Sequence, residues 1–266
     1  MKKRFLSLML AAALLLFLAA CAASPKTPVP ESSTPQESGL PSVTSEPTEP
    51  APDYDAQLRL LADAHAQWVK TDPMGNYSYC VADLDQNGRL EVLVTICSGT
   101  GMFSRTDIWE VSEALDGVKL CDASALSEDN QPDLVSVRET TAYFDGQVYR
   151  YLFTDDIRQG AAESDEVLYA LMLSGGSVQT EPLASARKVY SPDSEEPAAT
   201  YYDAGGDEFS EQEYLAAADA AFVGQERYAV RLGWKSLTRE ETENMDAAAW
   251  LPELQALRQA FALEKR

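Results

Sequence analysis

The sequence predicts an α+β body: an antiparallel β-meander sheet with N-terminal and C-terminal helices packed on it. Three observations carry this expectation. An apolar stripe at helical spacing opens the body, a long succession of period-two runs with tight turn signals fills its middle, and helix-capping motifs return at its end. No helical crossover separates the middle runs, which excludes doubly wound and barrel α/β arrangements.

The chain begins with a segment that does not belong to that body. In residues 1–20, Lys2, Lys3 and Arg4 precede an apolar run that ends in small residues, the layout of a signal peptide. The sequence Leu18-Ala19-Ala20-Cys21 resembles the lipobox of bacterial lipoproteins. That resemblance implies that Cys21 is lipidated on its sulfur and becomes the mature N-terminus, so that the protein is lipid-anchored on the extracytoplasmic face of the cell membrane. From Cys21 to residue 53 the chain is mainly Ser, Thr, Pro and Glu, too poor in large apolar side chains to offset the entropy of ordering, and it reads as a disordered linker. Such a tether spans roughly 30 Å as a coil and about 100 Å if it is polyproline-like. Residues 54–266 are then one extracytoplasmic domain.

Charge restricts the partners. The chain carries 21 Lys and Arg against 43 Asp and Glu, a formal charge of −22. Removing residues 1–20 takes away three cations and no acid, so the mature charge is −25. Nucleic acid is excluded as a partner, because that affinity comes from cations neutralising phosphates. Anionic lipid repels such a surface, so attachment requires acyl chains, two or more for stable anchoring.

Within the body, Leu58, Leu61, Ala62, His65, Trp68 and Val69 share one face of a helix expected over residues 55–70. His65, the one histidine, lies on that apolar face, where a packed, hydrogen-bonded role is expected. After residue 76 the period becomes two: Tyr77, Tyr79 and Val81 alternate with Ser78, Cys80 and Ala82, and Leu90, Val92, Val94 and Ile96 alternate with their neighbours. Further strands are expected at 107–111, 118–121, 134–137, 141–144, 148–153, 167–173, 177–181 and 187–190, with Asp145-Gly146 and Gly175-Gly176 as hairpin turns. The end returns to helix. Ser210 and Glu213 form a capping box ahead of a stripe of Tyr214, Leu215, Ala218, Ala221 and Phe222. Thr238-Arg239-Glu240-Glu241 starts a second helix, and Pro252 fits the first turn of a third that buries Leu254, Leu257, Ala260 and Phe261.

The motif with the most chemistry is Asp83-Leu84-Asp85-Gln86-Asn87-Gly88-Arg89-Leu90-Glu91. Calcium takes six to eight oxygens at about 2.3–2.6 Å, and alternate residues of a tight loop aim their side chains at one point. Asp83, Asp85 and Asn87 occupy the first, third and fifth positions, Gly88 permits the turn, Arg89 offers its carbonyl and Leu90 anchors the loop. An EF-hand has a bidentate Glu at its twelfth position, but Val94 stands there, inside a strand. The loop resembles instead the strand-loop-strand calcium loops of FG-GAP and integrin-type repeats, which implies that Glu91 completes the Ca2+ site. An ion-free Asx-rich turn is the competing reading. A second acidic stretch, residues 203–213, carries one residue too many between its glycine and its apolar anchor, and the capping box accounts for it.

Other signatures are weak. Ser185-Ala186-Arg187-Lys188 matches SxxK without its partner motifs, and Ser98-Gly99-Thr100-Gly101 lacks the lysine of a phosphate loop. Asp155-Asp156 and Glu195-Glu196 read as solvated acids, and Trp68, Trp109, Trp234 and Trp250 as core before sugar platform. Cys80, Cys97 and Cys121 lie on strand-like runs, where packed thiols or one disulfide both fit. The whole layout is similar to uncharacterised lipoproteins of anaerobic Gram-positive gut bacteria, a resemblance that implies no catalytic residues. The expectation is a calcium-stabilised, non-enzymatic binding or interaction module of the cell envelope, its partner a glycan, peptide or protein. The alternative is a cell-surface hydrolase of glycan or peptide that uses carboxylates.

Overall fold

The structure is a computed structural model that describes residues 51–70, 76–98, 103–124, 126, 134, 138–158, 162–194 and 196–266. These residues fall in the second of the two units into which the chain divides, Glu49–Arg266. The expected signal peptide, Cys21 and nearly all of the expected linker lie outside the described residues, as do Gly99 to Gly101, Glu195 and residues 135–137. Among the described residues no helix is long and apolar enough to cross a membrane.

The body is α+β, and its antiparallel strands form two sheets rather than the single expected one. Strands β1 (Asn76–Ala82), β2 (Glu91–Ser98), β3 (Phe103–Val111) and β4 (Val118–Leu120) form a four-strand meander. A second meander runs through β5 (Glu139–Phe144), β6 (Tyr149–Arg158), β7 (Glu163–Ser174), β8 (Ser177–Val189), β9 (Ala198–Asp203) and β10 (Glu208–Phe209). Three short C-terminal strands, absent from the sequence expectation, complete both sheets. Strand β11 (Glu226–Arg231) pairs with β5, β12 (Lys235–Leu237) crosses to pair with β1, and β13 (Ala262–Lys265) returns to β11. The orders are β12-β1-β2-β3-β4 and β10-β9-β8-β7-β6-β5-β11-β13.

Alternation along the strands assigns each side chain to a layer. On the five-stranded sheet, Tyr77, Tyr79, Val81, Val92 and Val94 pack under helices α1 (Tyr54–Asp63), α2 (His65–Trp68) and α5 (Ala247–Ala260). The opposite face sends Cys80, Ala82, Leu93 and Ile108 into a core shared with Tyr151, Phe153, Tyr169 and Leu171 of the eight-stranded sheet. On that sheet's outer face, α3 (Glu211–Ala221) packs through Ala218 and the following Phe222 against Tyr143, Ala170 and Leu183. The layers therefore run helix, sheet, sheet, helix.

Several local expectations change. The first helix breaks at Ala64 into α1 and α2, and His65 is half-buried with its Nδ1 donating to the Ala62 carbonyl at 2.8 Å. The runs at 177–181 and 187–190 merge into β8, where Tyr169 faces Pro182 and Leu168 faces Ala184. The intervening Leu183 forms a bulge, which accommodates a proline that cannot donate to a ladder. Gly175 and Gly176, at φ 58° and 73°, make the two-residue β7–β8 turn. The Asp145-Gly146 hairpin is longer than a two-residue turn, with Asp145 Oδ1 accepting from the Gln147 and Val148 amides. The α3 stripe is Tyr214, Ala218 and Phe222; Leu215 is 75% exposed and Ala221 is exposed. Helix α4 (Arg239–Glu243) starts as expected on a Thr238–Glu241 capping box. Asp246 caps α5, which places Pro252 in its second turn rather than its first.

The cysteines resolve by register. Cys80 faces Leu93, Leu93 faces Ile108, and the Cys121 amide donates to the Ile108 carbonyl. Cys80 and Cys121 thus end one row across four strands, about 14 Å apart, too far for a disulfide. Cys97 faces Asn76, four residues along β1 from Cys80. Burial pushes both the Cys80 and the Cys121 thiol up to about 12, so both are inert core groups.

Trp250 is fully buried, edge-on to Trp68 at 4.7 Å and to Tyr79 at 5.0 Å. Trp250→Ala is expected to cost about 3–5 kcal/mol in denaturant unfolding. Leu215→Ser, on the exposed face of α3, is expected to move stability by no more than about 0.5 kcal/mol. A large loss for Leu215→Ser would reinstate the stripe read from the sequence.

Candidate metal centre

The loop between β1 and β2 gathers the acidic side chains that the motif singles out. Carboxylate oxygens of Asp83, Asp85 and Glu91 lie within 4.8 Å of one another, in a group that could hold a metal ion. Three features of the loop produce this convergence. Gln86 and Gly88 adopt left-handed conformations at φ 57° and 83°, folding the chain back between the two strands. The Gln86 side-chain amide donates to the Asp83 carbonyl. The Leu84 carbonyl accepts from the Tyr151 hydroxyl of the opposite sheet, which pins the loop to the core between the sheets.

Each carboxylate has a different environment. Asp83 is 2% exposed; its Oδ2 accepts from the Tyr54 hydroxyl at 2.7 Å and the Gly88 amide at 3.2 Å, while its Oδ1 is buried with no hydrogen-bond partner. Glu91 is fully buried; its Oε2 accepts from the Leu84 amide at 2.6 Å, and its Oε1 is likewise buried without a partner. Asp85 is half-buried and accepts from the Asn87 amide and carboxamide. Burial raises all three pKa values, and neighbouring carboxylates add to the rise for Asp85 and Glu91. Asp85 reaches about 6, Asp83 is held back by its donors, and Glu91 is raised well above the ordinary glutamate value. A cation among these oxygens would reverse the effect by favouring the ionised forms.

The other two motif residues hold the loop's shape. The Asn87 Oδ1 accepts from the Arg89 amide at 2.7 Å, and its Nδ2 donates to Asp85 Oδ2 at 2.9 Å and Glu110 Oε1 at 2.8 Å. The Arg89 guanidinium donates through Nε and Nη2 to the same Glu110 oxygen, at 3.0 and 2.5 Å. The Arg89 group that the motif offers an ion is its carbonyl, which leaves this pairing undisturbed.

Two residues that sequence reasoning missed complete the surroundings. Glu110 stands directly opposite Glu91 across the β2–β3 ladder, so without Arg89 two like charges would share one face at cross-strand distance. Gln57 of α1, 4% exposed, donates from Nε2 to the Gly88 carbonyl and accepts at Oε1 from the Leu90 amide, both at 2.8 Å. Its carboxamide satisfies the loop's exit in the way a neighbouring strand would. The alternation of β3 could have placed Glu110 on the inner face. Nothing local signals Gln57, which lies 33 residues from Leu90.

The remaining candidates disperse. Ser185 and Lys188 are three apart on β8, hence on opposite faces, and Lys188 is paired with Glu166 at 2.6 Å. Trp68 and Trp250 are core residues, Trp109 is half-buried beside Lys70, and Trp234 is half-buried. Asp203 Oδ1 accepts from the Gly205 and Asp207 amides, an Asx turn at the β9–β10 hairpin.

The raised Asp85 carboxyl gives a signed expectation for the ion-free protein. A folded-state pKa above the unfolded value means that this group contributes stability at low pH, which is lost as pH rises through about 6. With a chelator present, the melting midpoint of wild type should rise as pH falls from 7 to 5, and Asp85→Asn should flatten that part of the profile. No protein-family model matches the chain, and no curated protein matches it.

Proposed function

We propose that this chain is a membrane-anchored extracytoplasmic lipoprotein whose body is a calcium-stabilised, non-enzymatic binding or interaction module of the cell envelope. One observation carries the ion: Asp83 Oδ1 and Glu91 Oε1 are buried acceptors with no donor, inside a group of three converging carboxylates. An unpartnered buried carboxylate is costly, and a cation removes that cost for several oxygens at once. The three acidic side chains offer only oxygen, which suits a hard ion over a thiophilic or imidazole-seeking metal. Magnesium sheds its water reluctantly, whereas calcium accepts many protein oxygens in irregular geometry, and a loop closed over by Leu84 and Tyr151 favours the latter.

Burial also argues for binding over hydrolysis. Asp83 and Glu91 cannot meet a polymeric substrate without opening the loop, and His65 is tied to a backbone carbonyl on α1. The lipobox and the Ser/Thr/Pro/Glu linker support attachment through Cys21, and the negative surface suits a neutral, basic or cationic envelope partner.

Affinity in the range of extracellular modules, about 10⁻⁴ to 10⁻³ M, is expected. At ten times Kd, calcium should stabilise the body by about 1.4 kcal/mol. Calorimetric titration and thermal melting should both report this, and Asp85→Ala should abolish the response while leaving a folded protein. Absence of heat and of any melting shift at several millimolar calcium would remove the ion from the reading. Fractionation of a bacterium expressing the full chain should place it with membranes, and Cys21→Ser should release it; a Cys21→Ser form still membrane-bound after cleavage would refute the lipid anchor.

A further inference from the structure

The first turn of α1 is built onto the ion loop rather than merely beside it. Tyr54, its first residue, donates to Asp83 Oδ2, leaving Oδ1 as that carboxylate's free oxygen. One turn later Gln57 clasps both backbone groups at the loop's exit. Just before the helix, Pro52 lies so close to Gly88 that a Cβ there would stand 2.9 Å from its Cγ. From the other side, the Arg258 guanidinium of α5 lies 4.6 Å from the centre of the Tyr54 ring. Three of the four residues 52, 53, 54 and 57 therefore touch the loop directly, and they are the residues by which the chain enters the body.

We propose that Tyr54 and Gln57 are positioning residues of the cation loop, and that an ion bound there in turn locks the entry segment and α1 onto the body. The inference rests on the cation reading above. The reasoning is linkage: if the ion needs Asp83 and the Gly88–Leu90 backbone where α1 holds them, then lifting α1 weakens the ion by a factor, and the ion opposes that lifting by the same factor. Groups that orient ligands in this way typically matter 10- to 100-fold in metal affinity. The apolar contacts of Leu58, Leu61 and Ala62 keep the helix docked in the ion-free state, so the lock acts on its first turn and on the segment before it. Calcium thereby controls access to residues 51–54, where the described chain enters the body.

The test uses the full-length chain in detergent, with calcium alone as the probe. Calorimetry should give calcium affinity about tenfold weaker for Gln57→Ala. Tyr54→Phe keeps the ring against Arg258 and should fold, with affinity weaker by about 3- to 10-fold. Melting in chelator, measured separately, reports any merely structural loss, which would leave affinity unchanged. In wild type, hydrogen exchange at residues 54–57 should slow roughly tenfold at ten times Kd, and proteolysis near residues 51–53 should slow with it. If calcium binds wild type and both variants equally and exchange in α1 ignores it, the lock is overturned and the ion site stands. If calcium does not bind wild type at all, the ion reading falls and takes the lock with it.

Discussion

Acidic side chains buried at the seam between two sheets are the constraint around which the molecule is organised. Strand β2 begins on Glu91, whose side chain enters the layer between the sheets and faces Glu110 across the ladder. An acceptor buried there without a donor costs about 1–3 kcal/mol, and more when it is charged. The fold answers with donors from the loop itself, the Leu84 amide and the Arg89 guanidinium, and one from the first helix, the Tyr54 hydroxyl. Tyr151 reaches from the opposite sheet to fix the loop that carries these groups. Even so, Asp83 Oδ1 and Glu91 Oε1 are left buried without a donor, in a group of carboxylates that could hold a metal ion.

Both sheets contribute to the surroundings of the acidic group. The five-stranded sheet supplies the loop and both glutamates; the eight-stranded sheet supplies Tyr151 and, at the β7–β8 turn, the backbone of Gly176 beside Glu110. A Cβ at Gly176 would come within 3.5 Å of the Glu110 carboxylate. The Asp122 amide bonds the Gly176 carbonyl, and the Val178 amide bonds the Asp122 carbonyl, tying the end of the first meander to the turn of the second.

What the sequence made legible was local. Period-two alternation found β1 and β2, side-chain caps found the starts of α3 and α4, and the alternate Asp, Asp and Asn found the loop. Nonlocal features were hidden for physical reasons. Strands β11, β12 and β13 are short and take their stability from pairing with β5, β1 and each other, which no window of sequence displays. Leu215 fits the helical stripe by spacing but sits where the outer face of the sheet no longer reaches α3. Gln57 reads as an ordinary polar residue of an amphipathic helix; its value lies in meeting two backbone groups 31 and 33 residues away.

The helix that opens the body rests on the helix that nearly closes it: Leu58 and Leu61 share a core with Trp250 and Leu254, roughly 190 residues later, a separation that makes folding slow because distant segments must meet before the contacts reward it. Helix α1 meets β1, β2 and the loop between them within some forty residues of chain, but the Trp250 and Leu254 side of its core comes only near the end. Strand β13 likewise pairs with β11, more than thirty residues before it in the chain. The topology thus leaves the layer over the five-stranded sheet half covered until α5 docks, so that the first residues of the body reach full burial only through some of its last.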